Sequence, residues 1–292
     1  MVRLRHTIQD VVDRCGRLAE EGRRLRPGGS FLAAFDADGT LWGPDVAEIL
    51  WRRLIDRKAL TRSAAGPFAR VLRSLGEEPA LDPYQDYASI DRLFQSGRCP
   101  EATMTRAMLQ GLSGIAEEDL YCHSLEAIAE MEEFRPGRLA SSGRMLGALR
   151  AQGYRIVVVS ASPRWVVEVA LGRLGIESGD IIAGEVAVVS GRLTDQIIEP
   201  FPHGKGKVQA ILRRHGTVPR VSVGNALADL PMLEATSHLR VLVNPTEELL
   251  HACDGIAGST WAIGLPGARR AAQPSPGASP RKSPRRVRPS GS

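Results

Sequence analysis

Phe31-Leu32-Ala33-Ala34-Phe35-Asp36-Ala37-Asp38-Gly39-Thr40-Leu41-Trp42 is an apolar run that ends in two carboxylates two positions apart, then a glycine and a threonine. The run reads as a buried strand. Unpaired carboxylates are costly to desolvate, so acids at the end of such a strand call for a purpose. The carboxyl ends of parallel strands are where α/β sheets bind ligands. A carboxylate there can attack phosphorus to give an aspartyl-phosphate. A second acid two residues on can reach the same phosphoryl group. Read alone, the stretch is equally a turn or a fragment of a calcium loop.

Working outward, helical spacing covers residues 7–26 (Ile8, Val11, Val12, Cys15, Leu18) and closes at Pro27-Gly28-Gly29. From about Asp45 to Gln152 the pattern is helical almost throughout, with breaks near Gly66-Pro67, Asp82-Pro83, Gly97 and Pro136-Gly137. After Gly153 it turns to βα alternation. Arg155–Ser160 is a strand with the continuous apolar character of a parallel sheet, and a helix follows to about Leu174. A short strand lies at Asp180–Ala183 and a small hairpin at Glu185–Thr194. Helix 205–214 ends at Gly216. Strand 220–224, helix 230–236 and strand 239–243 complete the pattern. The expected fold is α/β, a Rossmann-like parallel sheet core with a helical cap inserted after the first strand. Residues 1–42 and 138–265 form the core, 43–137 the cap, and 266–292 a disordered basic tail.

The chain has 292 residues, 43 % hydrophobic and 24 % charged, the composition of an ordinary globular protein. No apolar run reaches the length of a membrane span, and no secretory signal follows the basic start. Cys15, Cys99, Cys122 and Cys253 have no paired spacing and read as reduced cytoplasmic thiols. The net charge of +5 belongs to the tail. From Pro266 onward it holds seven basic residues and no acid, which leaves the remainder slightly acidic. Nucleic-acid binding is therefore not expected of the body, and only weak contact of the tail.

Three further elements carry chemistry. Ser160 ends the second apolar strand, where its hydroxyl can hold a phosphate beside a helix amino terminus. Ser162, before Pro163, reads as the N-cap of that helix. Lys205 and Lys207 open a helix after the glycine of Phe201-Pro202-His203-Gly204, where a lysine can neutralise phosphate charge. The glycine spacing is not that of a P-loop. Asn225 and Asp229 follow a strand at a spacing of four. Their oxygens suit Mg²⁺, though Asp229 read alone is a helix cap. The six histidines show no metal-ligand spacing, and His203 lies near Lys205.

Taken in order, Asp36-Ala37-Asp38-Gly39-Thr40, Ser160-Ala161-Ser162-Pro163, Gly204-Lys205-Gly206-Lys207-Val208 and Gly224-Asn225-Ala226-Leu227-Ala228-Asp229 resemble the four signature motifs of the haloacid dehalogenase superfamily. Gly191-Arg192-Leu193-Thr194 and Asp229-Leu230-Pro231-Met232-Leu233 are most similar to its phosphoserine-phosphatase-like branch. The resemblance implies Asp36 as nucleophile and Asp38 as acid and base. It implies Lys205 as the phosphate-neutralising lysine, with Lys207 in reserve. Ser160, Gly39, Thr40 and Ala161 would surround the phosphate, and Mg²⁺ would be held by Asp36, Asp38, Asn225 and Asp229. In that superfamily an acid at position 38 marks phosphatases and phosphomutases rather than dehalogenases, so the resemblance implies hydrolysis of a small phosphorylated metabolite. The alternatives are a weakly active or inactive phospho-ligand-binding protein and a phosphotransferase. Position 225 departs from the family, which has Asp there. An amide oxygen coordinates without contributing charge, so weaker Mg²⁺ binding is expected. Asp45 stands where the branch reads substrate with an acid, and it also reads, by preference, as a capping pair with Glu48 that opens the first helix of the cap. The branch's substrate-carboxylate arginine has no match; Arg106 is only nearby.

Overall fold

The computed structural model describes residues 3–4, 6–25, 31–131, 134, 141–176, 180–253, 256 and 259–263. The expected tail, the close of the first helix at Pro27-Gly28-Gly29 and the break at Pro136-Gly137 lie outside these residues.

Among the described residues seven strands form one parallel sheet in the order β1-β9-β8-β7-β2-β3-β4. In chain order they are β1 (Arg3–Leu4), β2 (Phe31–Phe35), β3 (Tyr154–Pro163), β4 (Asp180–Gly184), β7 (Val221–Gly224), β8 (Leu239–Val243) and β9 (Ser259–Ile263). A separate antiparallel hairpin joins β5 (Val186–Val189) to β6 (Arg192–Ile197). All five residues of β2 are buried, because it lies between β3 and β7 with helices over both faces. Phe35 is level with Val158 of β3 and Val223 of β7. The three strands therefore end side by side. The chain leaves β2 for β3 on one side and later returns to β7 on the other. That places β2 at the topological switch point, where the crevice of an open α/β sheet lies.

The core helices are α1 (Ile8–Leu25), α7 (Ser141–Ala151), α8 (Arg164–Arg173), α9 (Lys205–His215), α10 (Leu230–Ala235) and α11 (Glu247–Cys253). On α1 the buried residues are Val11, Cys15, Leu18, Ala19 and Gly22, one face at helical spacing. Helix α9 ends at Gly216, whose φ of 67° is the left-handed conformation that glycine adopts without penalty.

Five helices are inserted between β2 and α7: α2 (Val46–Asp56), α3 (Ala65–Ser74), α4 (Pro83–Gln95), α5 (Glu101–Gln110) and α6 (Glu117–Ala129). Asp45 caps α2, its Oδ1 accepting from the Ala47 and Glu48 amides. Trp51 and Tyr87 stack at 5.0 Å, with Phe68 tilted against both, at the centre of the insertion. The insertion is joined to the core by backbone as well as side chains. Ala116 bridges Arg192 of the hairpin, flanked by Gly114 N–H to Leu193 O (2.7 Å) and Leu193 N–H to Ile115 O (2.9 Å). On α8, Trp165 is buried and donates to Glu117 of α6 at 3.0 Å.

Two local readings need correction. Strand β3 continues through Ser162 to Pro163, and no side chain caps α8. Ser162 is therefore not an N-cap: pairing of Pro163 with Gly184 holds this segment extended. Asp229 likewise makes no side-chain cap for α10. Strands β1 and β9 and helix α11 are additions to the expected pattern. Among the described residues no helix is long and apolar enough to cross a membrane.

Candidate active site

The ends of β2, β3 and β7 and the first turn of α9 bring the polar residues together. Asp36 follows β2, and its amide donates to Val223 O of β7 at 2.8 Å. Its side chain is buried and accepts on both oxygens, from Lys207 Nζ on Oδ1 (2.7 Å) and from Thr40 Oγ1 on Oδ2 (2.9 Å). Lys207 Nζ also donates to Asp229 Oδ1 at 2.6 Å. The other oxygen of Asp229 accepts the amides of Asn225 (2.9 Å) and Ala226 (3.1 Å). One buried ammonium thus lies between two buried carboxylates, and each carboxylate has further donors, as buried charges require.

The lysine of the site is Lys207, which corrects the assignment to Lys205. Two residues along a helix is about 200° of rotation, so the two lysines cannot face the same way. Lys207 shares the buried face of α9 with Ala210 and Ile211. Lys205 is exposed and lines an open groove with Val208, Gln209, Pro231, Glu234 and Ala235. The helix phase in the sequence already carried this signal, since Lys207 falls at i, i+3 and i+4 with the apolar pair. Close packing fixes the turn: a Cβ at Gly206 would lie 1.8 Å from Phe201 O.

Asp38 is the second hub. Its Oδ1 accepts from Trp42 Nε1 (2.8 Å) and the Val46 amide (2.9 Å). Its Oδ2 accepts from Ser162 Oγ (2.6 Å) and Ser160 Oγ (3.3 Å). Ser160 Oγ also accepts the Ser162 amide at 3.0 Å. Trp42 and Ser162 are the site residues that sequence reasoning missed. Ser-Pro mimics a helix start, and a tryptophan after an apolar run looks like core.

The expected residues Asp36, Asp38, Thr40, Ser160, Asn225 and Asp229 all meet at the strand ends, with Gly39 between them and Ala161 next to Ser160. Gly39 has a φ of +76°, and a Cβ there would lie 2.0 Å from Asn225 Nδ2. Its lack of a side chain is what lets the Asn225 amide lie against the Asp36–Thr40 loop. Arg106 is elsewhere, paired with Glu199 and placed over the Phe201 ring at 4.9 Å. His203 stacks on Phe201 with ring centroids 6.4 Å apart.

Burial raises the Asp36 carboxyl above the usual carboxylate range; Asp229 and Asp38 add to the rise and Lys207 opposes it. Burial by itself lowers Lys207, but Asp229 and Asp36 outweigh it and hold the ammonium charged. The ionisation of Asp36 therefore depends on Lys207.

Among the described residues no three His, Cys, Asp or Glu side chains are grouped to hold a metal ion. Position 225 is an amide, and both oxygens of Asp229 are engaged, one by Lys207 and the other by two backbone amides. Of the expected ligands, Asp229 thus already serves other groups through both of its oxygens. What remains is the Asp36 carboxylate and the Asn225 amide beside the Asp38 backbone. That fits the modest demands of Mg²⁺, which takes one or two carboxylates with waters and substrate phosphate.

The model of the haloacid dehalogenase-like hydrolases matches residues 33–234, from within β2 to α10. The chain belongs to this family. Among solved structures, this haloacid dehalogenase-like hydrolase is similar to a protein of unknown function from Bordetella pertussis Tohama I. The two are 18 % identical with a TM-score of 0.61, over 80 % of this chain and 99 % of that one. A functionally unknown protein from Anaerococcus prevotii DSM 20548 is 14 % identical with a TM-score of 0.58, over 88 % and 96 % of the two chains. A probable phosphoserine phosphatase from Vibrio cholerae is 16 % identical with a TM-score of 0.51, over 80 % of this chain and 59 % of that one. A cytosolic 5′-nucleotidase IIIB bound to cytidine is 10 % identical with a TM-score of 0.51, over 88 % and 86 %. At these identities the likeness is one of fold. Among curated proteins no match is found.

Proposed function

We propose that this haloacid dehalogenase-like hydrolase is a phosphatase that hydrolyses a small phosphomonoester through an aspartyl-phosphate on Asp36. The observation that carries the reading is the buried Asp36–Lys207–Asp229 set at the end of β2, with a second carboxylate, Asp38, two residues on. Asp36 attacks phosphorus, and Asp38 supplies a proton to the departing alcohol. In the second half Asp38 takes a proton from the water that opens the aspartyl-phosphate. Lys207 neutralises charge on the phosphoryl oxygens, and Ser160 donates to one of them. Asp229 acts through Lys207, which it orients. Mg²⁺, held by Asp36, Asn225 and the Asp38 backbone, would neutralise the phosphate and align it for in-line attack. The insertion excludes bulk water from the site. A probable phosphoserine phosphatase and a 5′-nucleotidase among the fold relatives support a small phosphorylated metabolite as substrate class.

The test is Asp36→Asn. Expected is loss of phosphomonoester turnover to background, in a variant that still melts cooperatively. Retained turnover overturns the nucleophile assignment.

Asn225 favours a second reading, a phospho-ligand-binding protein with little turnover, because the metal site has lost one negative charge. Calorimetric titration with Mg²⁺ separates the two. Asn225→Asp is expected to tighten Mg²⁺ binding roughly tenfold or more, since charge count sets affinity at such sites, and to lower the Mg²⁺ needed for half-maximal turnover. Tighter binding with no turnover at any Mg²⁺ concentration selects the binding protein.

A further inference from the structure

We propose that Trp42 and Ser162 are positioning residues for Asp38: together they fix which edge of its carboxylate faces the reacting phosphoryl group. The proposal rests on the phosphatase reading and on the role of Asp38 within it.

A carboxylate offers about four acceptor positions, two on each oxygen. Here all four are taken: Trp42 Nε1 and the Val46 amide on Oδ1, Ser162 Oγ and Ser160 Oγ on Oδ2. The two edges differ in kind. Indole and amide N–H groups only donate, so Oδ1 is committed to them. Hydroxyls donate or accept, so Ser162 and Ser160 can turn as the group on Oδ2 changes. The side chain thus has a fixed edge and a yielding edge, and the yielding edge is shared with Ser160, the residue placed at the phosphate.

Neither positioning residue is free to drift. Trp42 is 3 % exposed, and its ring meets Phe134 edge-on at 5.4 Å, which aims the indole N–H at Asp38. Val46 is the first residue of α2, so its amide is one that no helical carbonyl satisfies. Ser162 is 5 % exposed and held in β3, one residue before Pro163 pairs with Gly184. Rotating the Asp38 carboxylate about its axis would strand two buried donors that cannot accept in turn. Oδ2 therefore stays toward Ser160 and the substrate.

The chemical signature of this role lies in the leaving group. A poor leaving group needs a well-placed proton donor; a good one departs as the anion. Phenyl phosphate and 4-nitrophenyl phosphate have the same ring and differ in this respect, so binding contacts largely cancel in their ratio.

The experiment measures kcat for both esters with the full-length protein, its Asp38→Asn variant, Trp42→Phe, Ser162→Ala and Ser162→Thr. Circular dichroism and thermal midpoints are recorded for each. Trp42→Phe keeps an aromatic ring beside Phe134 and removes the N–H together with part of the indole, a packing loss that acts equally on both esters. Expected is a loss on phenyl phosphate of roughly tenfold for Trp42→Phe and for Ser162→Ala, part of the 10²–10⁴ carried by a general acid. The loss on 4-nitrophenyl phosphate should be several-fold smaller, and Ser162→Thr should restore the wild-type ratio. Equal fractional losses on the two esters would mean that both residues merely support the fold, and the proposal falls. If Asp38→Asn itself shows no leaving-group dependence, the acid role of Asp38 is wrong and the proposal falls with it. If the wild-type protein hydrolyses neither ester at saturating Mg²⁺, the phosphatase reading fails first.

Discussion

Lys207 holds Asp36 and Asp229 on one ammonium, and removing it leaves two buried carboxylates facing each other without a cation. Breaking such a set costs about 3–5 kcal/mol when the remaining charge stays buried. Lys207→Ala is therefore expected to lower kcat/KM by at least about a hundredfold and to reduce the thermal midpoint. Lys205→Ala, on the exposed face of the same turn, is expected to change kcat/KM by less than about twofold and stability by less than about 0.5 kcal/mol. Steady-state kinetics and a melting curve on the pair check this, and equal losses would show that the helix is phased differently. Asn225 illustrates what one atom changes at this scale. An amide and a carboxylate are nearly the same size, so Gly39 accommodates either, but only one brings charge.

Helix α9 depends on a single tight approach, because Gly206 lies against Phe201 O with no room for a side chain. Gly206→Ala would normally favour a helix by about 1 kcal/mol. Here it is expected to displace the first turn, lowering both the thermal midpoint and kcat, since Lys207 rides on that turn. An unchanged or higher midpoint in a scanning calorimeter would refute it. Elements of this kind were unevenly legible in the sequence. Strands β2, β3 and β7 declare themselves, because central parallel strands are apolar on both faces and end in polar residues. Helix α1 declares itself by its stripe of Val11, Cys15 and Leu18. Strand β1, only two residues long, carries no periodicity to read, and β9 mixes Ser259 and Thr260 with Trp261. Ser162 was obscured because Ser-Pro is the local preference of a helix start, while strand pairing at Pro163 overrode it. The site was legible to the extent that its residues terminate strands. The contacts of Trp42 and Ser162 with Asp38 depend on loop geometry that spacing does not encode.

Taken as a whole, the molecule has three histidines whose surroundings disfavour the charged form, His123 and His215 half-buried and His238 more exposed. Burial lowers His123, His215 and His238 below their ordinary value of 6.5, with Arg53, Arg214 and Arg220 respectively among the groups that add to it. The unfolded chain binds protons at these sites first as pH falls through that value, so stability rises with pH across the window. Asp36, raised by burial, contributes with the opposite sign over part of the same range. The thermal midpoint is expected to fall from about pH 7.5 to about pH 5.5, and the triple His→Gln variant should show a flatter slope. An equal slope in the triple variant would assign the effect elsewhere. The position of β2 also governs when the site can exist at all. Phe31 is level with Tyr154 and Ala33 with Val221, so the strand that carries Asp36 and Asp38 is made early but gains its neighbours late. On the ribosome it waits unpaired until β3 has been made, and it is enclosed on both sides only after β7 emerges. The five helices of the insertion are synthesised in the interval. With α1, made before β2 and part of the same apolar cluster, they are what the growing chain has available to shelter an apolar strand that would otherwise stand open to its own copies.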